Sequence, residues 1–157
     1  MHGEARRQQR ETLSLDKEVS EILEESRMVL PGVQTLLGFQ FIATFSDLFH
    51  KQLALREQII HLLALILVAM AMAVIMTPAA YHRQAEPETV SKKFARLATL
   101  LLSVGMVPLM FGLALDVYVV SFVILHRASA SFFISAALLC LFATLWFVFP
   151  RMGRPHG

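Results

Sequence analysis

Cysteine occurs once in this chain, at Cys140, which excludes an internal disulfide and any thiolate metal pair. Cys140 lies inside an apolar run, where a packing role is expected. Charge is also scarce: Asp, Glu, Lys and Arg make up 17% of the residues, against roughly 25% in ordinary globular chains. The formal charge of +2 comes with no basic stripe interleaved with aromatics, so nucleic acid is not an expected partner. There is no Gly-rich phosphate loop, no nucleophile motif and no His pair at i, i+4. His50, His61 and His126 are scattered over different segments, so no catalytic residue, metal set or cofactor is expected. Arg6, Arg7 and Arg10 open the chain, but no apolar stretch follows at the distance of a signal peptide. Insertion would be directed by the first membrane segment.

What the chain has in abundance is uncharged apolar sequence, with 56% apolar residues overall. No Asp, Glu, Lys or Arg occurs from Gln58 to Tyr81 or from Ala128 to Pro150, and from Leu97 to Leu125 the only charge is Asp116. Each run exceeds the ~18 residues that mark a membrane helix. Val33 to Phe49 is shorter and carries Gln34, Gln40 and Asp47. None of these runs alternates apolar with polar as a membrane barrel strand does. In hydrocarbon every backbone polar group must be paired internally, so continuous apolar spans become helices. The expected fold is all-α: a four-helix up-down membrane bundle with spans near 33–49, 58–81, 95–120 and 129–149. The third span has an open end. Val117 to Leu125 stays apolar, so this helix is either long and tilted or bends back along the interface.

Before the first span, residues 1–12 read as a mobile terminus and 13–30 as an amphipathic helix on the cytoplasmic side. Thr12 or Ser14 would cap it, with Asp16 and Glu18 in its first turn. Leu15, Val19, Ile22, Leu23, Val29 and Leu30 fall largely on one side, with Glu21, Glu24 and Glu25 turned away. An acidic face is poorly suited to anionic lipid, which favours docking on protein. Pro31 and Gly32 are expected to break or redirect the helix, and Pro150 with Arg151 to end the last span ahead of a tail, 152–157.

Eleven Lys and Arg fall in the N-terminal segment, the 82–96 linker and the C-terminal tail, against three in the other two loops, Lys51, Arg56 and Arg127. The positive-inside rule then places both termini in the cytoplasm. Membrane helices pack through small residues. Ala98, Gly105 and Gly112 lie seven apart on one face of the third span, and Ala64, Val68 and Ala71 share a side of the second.

Ionisable groups inside spans are functional candidates. Gln40, Thr44 and Asp47 form one polar stripe, and Asp116 is placed to meet it. A proton or cation site would comprise Asp47, Asp116, His61, Gln40 and Gln34; the structural alternative pairs both acids with Lys51, Arg56 or Arg127 at the headgroups. A second cluster at the cytoplasmic face holds Glu24, Arg27, Gln34, Tyr81, His82 and Arg83, where a Glu to Arg83 or Gln34 to Tyr81 contact would tie the N-terminal helix down.

Two short motifs carry a resemblance: Glu24-Glu25-Ser26-Arg27-Met28-Val29-Leu30-Pro31-Gly32-Val33-Gln34 and Thr77-Pro78-Ala79-Ala80-Tyr81-His82-Arg83. With Asp116 and Trp146-Phe147-Val148-Phe149-Pro150, the chain resembles an uncharacterised bacterial family of four-span membrane proteins, a domain of unknown function, over about Leu15 to Arg151. The resemblance implies a multi-pass protein of the bacterial inner membrane. Some members bear an antiporter label, which establishes no activity. Gln40 and the apolar Val119 to Leu125 stretch depart from the family pattern.

The expected function is non-enzymatic: an oligomeric or accessory membrane component, with membrane lipid and either further copies or a larger complex as partners. The alternative is a small proton- or cation-coupled transporter built on the embedded carboxylates.

Overall fold

The structure, a computed structural model, describes the backbone of residues 2–85 and 91–152 and the side chains of 13–47, 49–85 and 91–152. Among these residues all regular structure is helical. The elements are α1 (His2–Thr44), α2 (Asp47–Gln52), α3 (Leu55–Ala85), α4 (Lys92–Leu125), α5 (Ala128–Ala143), a π-helical turn (Thr144–Val148) and α6 (Phe149–Met152). Three helical stretches are long and apolar enough to cross a membrane: Leu55–Ala85, Lys92–Leu125 and Ala128–Met152.

Several boundaries differ from those read in the sequence. α1 begins at His2 and runs through Pro31 and Gly32 without a break. Proline removes one amide hydrogen bond and crowds the preceding turn, and here the flanking turns hold. Thr35 Oγ1 donates to the Pro31 carbonyl at 2.8 Å. The interruption comes instead after Thr44: Ser46 turns extended and its hydroxyl caps α2 by accepting from the Phe49 amide at 3.2 Å. The apolar stretch after Tyr118 does not bend back, because α4 continues as one helix to Leu125, about 51 Å at 1.5 Å per residue. His126 then takes φ of 52°, the left-handed conformation that ends many helices, and its amide donates to the Phe122 carbonyl at 2.9 Å. Pro150 falls inside helical structure. The wider π turn just before it, closed by the Phe149 amide on the Thr144 carbonyl, relieves the crowding a proline imposes on the preceding turn. Pro87, Arg154 and the tail beyond Met152 lie outside the described residues.

Hydroxyls throughout these helices are satisfied locally. Ser26, Thr44, Thr77, Thr99, Ser103, Ser131 and Thr144 each donate to the carbonyl four residues earlier. That is how hydroxyls are accommodated where lipid offers no partner.

The chain divides into two compact units, Met1–Thr35 with Ala71–Met106, and Leu36–Met70 with Val107–Gly157. In the first unit, Val19 of α1 packs with Phe94, Ala95 and Ala98 of α4, and Ile22 and Leu23 lie beside them. Val19, Ile22 and Leu23 of the N-terminal stripe thus dock on protein within a helix that continues past them, whereas Val29 is exposed. Tyr81 and His82 of α3 stack on Phe94, with ring centroids 5.6 and 5.5 Å apart. Gly105 faces Ala71 and Ile75: a Cβ there would lie 2.7 Å from Ile75 Cγ1.

In the second unit, α3 presents Glu57, His61, Ala64 and Val68, all buried and spaced by three or four residues along one stripe. Gly112 of α4 lies against it. A Cβ on Gly112 would sit 2.8 Å from Val68 Cγ2 and 3.1 Å from the Ala64 carbonyl oxygen. Leu53, Tyr118 and Val119 close a small apolar cluster. Ser135 of α5 donates to the Ala114 carbonyl at 2.6 Å.

Candidate functional site

The second unit gathers polar groups from three helices. On α3, the stripe that buries Ala64 and Val68 continues one turn to His61, which is 7% exposed. On α4, Asp116 follows Gly112 by one turn, so the close approach permitted by glycine carries its carboxylate toward His61. From α1 comes Gln40, 4% exposed. The Gln40 side-chain amide donates to Asp116 Oδ2 at 2.5 Å. His61 Nε2 lies 3.1 Å from the Gln40 backbone carbonyl, and His61 Nδ1 lies 3.2 Å from Asp116 Oδ1. That last contact has ion-pair distance, and Oδ1 has no hydrogen-bond partner. Phe49 of α2 closes the far side edge-on to the imidazole, with centroids 5.2 Å apart.

These partners fix the proton inventory. A carbonyl oxygen only accepts, so His61 Nε2 carries a hydrogen. Nδ1 faces a carboxylate oxygen. With no further proton, a bare nitrogen lone pair opposes an anionic oxygen and the pair carries a net charge of −1. One added proton, on either Nδ1 or Asp116, makes the pair neutral overall and turns that repulsion into attraction. Low-dielectric surroundings raise the cost of the charged alternative. A proton between Nδ1 and Oδ1 would suit this geometry.

A hard cation would find few oxygen ligands here. Oxygen ligands would have to converge on a hard cation, whereas the Asp116 oxygens face N–H and ring nitrogen. Among the described residues no three His, Cys, Asp or Glu side chains come together as a metal set.

Of the residues the sequence proposes for an ion site, Gln40, His61 and Asp116 converge. Asp47 does not. It starts α2, beyond the break at Ser46, with a side chain 91% exposed and 3.6 Å from Lys51 Nζ. The i, i+4, i+7 stripe fails there because the helix that would carry it has already ended at Thr44. Gln34 belongs to the other unit, with an exposed side chain. The proposed cytoplasmic cluster does not assemble as drawn. Glu24, Arg27, Gln34 and Arg83 are exposed, and the described residues show neither a Glu to Arg83 ion pair nor a Gln34 to Tyr81 hydrogen bond. Tyr81 and His82 instead lie on Phe94, and His82 Nδ1 is buried without a partner.

The residue missed was Glu57, 5% exposed. Its position reads as loop when only the charge-free stretch is counted. The available signal was its spacing, four before His61 on the stripe that continues through Ala64 and Val68.

Among the described residues, two grooves reach His61. One, of about 420 Å³, is lined by Phe41, Phe45, Phe49, His50, Gln58 and His61 among others. The other, of about 250 Å³, runs past Ser46, Leu53 and Val119. A third groove of about 510 Å³ holds Arg56, Phe111, Tyr118, Phe132 and Ser135 and does not touch the cluster.

Residues 8–150 match a family of unknown function, DUF6328. The chain belongs to this family. Comparison with curated proteins and with solved structures gives no match. Membership in DUF6328 thus agrees with the resemblance carried by the Pro31 and Pro78 motifs and attaches no activity to the cluster.

Proposed function

We propose that this DUF6328 chain is a non-enzymatic, four-pass component of the bacterial cytoplasmic membrane whose His61–Asp116 pair is a proton-responsive element. Three crossings come from α3, α4 and the helical stretch beginning with α5. The fourth comes from the end of α1. Gln40 reaches Asp116, so this part of α1 runs beside two membrane-capable helices. Its outward residues, Phe39, Phe41 and Ile42, are apolar and exposed, as is Phe45 just beyond its end. Four crossings and the distribution of Lys and Arg put both termini in the cytoplasm. The chain works as a homo-oligomer or within a larger membrane complex, a reading for which the uncovered apolar face of α5 offers a contact surface.

The observation that carries the proton-responsive reading is the bracketing of Asp116 between the Gln40 amide and the His61 ring. Solid-state NMR of histidine-labelled protein in bilayers, titrated between about pH 4 and 9, tests it. The His61 signal is identified by its loss in His61→Gln. Wild type should show one protonation step shared by His61 and Asp116, whereas Asp116→Asn should leave a ring protonated at Nε2 alone through most of the range. A His61 signal that stays constant throughout refutes the reading.

A second reading, proton-coupled transport, is favoured by the position of both partners on helices long enough to span a bilayer. It requires a pH-gradient-driven flux in proteoliposomes that disappears in Asp116→Asn.

A further inference from the structure

We propose that the aromatic groove over His61 binds a lipophilic organic cation in exchange for the proton held by His61 and Asp116, an inference that rests on the single-proton reading above.

The groove occupies about 420 Å³, within the range of pockets that hold small organic ligands. Phe41 lies on α1 and Phe45 directly follows its end, Phe49 comes from α2, and His61, the buried member of the lining, marks the inner end. Phe45 is 84% exposed, so the mouth opens on the apolar outer surface and a membrane-dissolved ligand enters without crossing a polar barrier. The lining is mostly hydrocarbon, as such a ligand requires. Aromatic faces attract cations. The groove lacks the oxygen cage an inorganic ion needs to replace its water, so the cation must bring its own apolar shell, as a quaternary phosphonium or ammonium does.

Charge sets the competition. α1 contributes only neutral polar groups here, Gln40 and Thr44. α2 contributes His50 on the groove wall, while its Asp47 and Lys51 are exposed and pair with each other. α3 contributes buried Glu57, one turn from His61, and no cation stands within ion-pair distance of it among the described residues. Arg56 lines the separate third groove. α4 contributes Asp116. Arg127, the charge nearest the start of α5, is exposed at its N-cap. With its proton the His61–Asp116 pair is neutral. Without it the pair is an anion behind the inner end of the groove, in surroundings that screen little. Binding one monovalent organic cation restores neutrality, so one cation enters as one proton leaves to water.

Tetraphenylphosphonium is a suitable probe, with the full chain in lipid nanodiscs and empty nanodiscs as the partition control. Saturable binding should tighten with rising pH, toward about tenfold per unit where the pair is protonated. About one proton should be released per cation bound, read with a dye in weak buffer. Asp116→Asn should lose both the pH dependence and most of the affinity. Phe45→Leu, at an exposed position that folding tolerates, should weaken binding by about threefold and keep the pH dependence. Binding no greater than in empty nanodiscs overturns the proposal, as does affinity indifferent to pH or to Phe45→Leu. If His61 titrates in bilayers and the probe does not bind, only the cation site falls; if His61 does not titrate, the proton-responsive element falls and the exchange with it.

Discussion

Gly112 governs the geometry of the buried cluster more than any charged residue does. A methyl group there meets not only the movable Val68 side chain but also the Ala64 carbonyl oxygen, which belongs to a helix backbone and cannot step aside. Gly112→Ala should therefore push α4 from α3 locally and cost about 1–3 kcal/mol. Reversible unfolding in mixed micelles measures this. The same displacement draws Asp116 from His61, so the variant should also weaken the shared proton in the NMR titration. Gly105 gives a graded comparison. Its closest obstacle is Ile75 Cγ1, with the Ala71 carbonyl at an ordinary 3.5 Å, so Gly105→Ala should cost less than Gly112→Ala. Gly38 has nothing within 4 Å. Gly38→Ala should be neutral or stabilising, by up to about 1 kcal/mol through helix propensity. If all three variants behave alike, close approach at Gly112 is not what positions the carboxylate.

At the scale of the elements, α1 sets the strongest expectation. Pro31 sits in an unbroken helix on an exposed side. Pro31→Ala supplies an amide able to donate to the Arg27 carbonyl and should stabilise the helix, by up to about 3 kcal/mol. Slower amide exchange over residues 27–35 is the readout; faster exchange or lost stability would mean that the proline shapes a necessary bend. The same helix shows what is legible in sequence and what is not. Charge-free stretches reveal α3, α4 and α5 directly, because only hydrocarbon-compatible sequence can be that long without a charge. The Ala64, Val68 and Gly112 surfaces are legible for a related reason: small residues at helical spacing mark close approach. Asp47 is misplaced because one capping serine, Ser46, ends α1 and starts a new helix, and a period of 3.6 carries no phase across such a break. Gln40, His61 and Asp116 are each visible as polar residues in apolar runs. That Glu57 shares the His61 stripe is visible only when the helix is allowed to begin ahead of the charge-free stretch. The continuity through Pro31 depends on tolerance in the neighbouring turns, which local propensity does not encode.

For the whole molecule, the decisive quantity is apolar surface that the chain itself leaves uncovered. α5 and the helical residues after it are apolar along their length, yet none of their most apolar stretch is buried; Phe132, Phe133, Leu141, Leu145 and Phe149 all face outward. A contiguous face of that kind is unstable in water, so either lipid or a second copy covers it. Cys140 lies on α5, exposed and reduced, and reports which. If α5 is the interface of the proposed homo-oligomer, facing copies bring two Cys140 residues together, and mild oxidation of native membranes should yield a disulfide-linked dimer lost in Cys140→Ser. Disulfide geometry demands Cα atoms within about 7 Å, so a strong dimer band requires a close α5–α5 contact rather than occasional collision. A chain that stays monomeric under oxidation while remaining oligomeric in mild detergent would move the interface off this part of α5. A chain monomeric by both measures would leave lipid as the cover and remove the homo-oligomer from the proposed function.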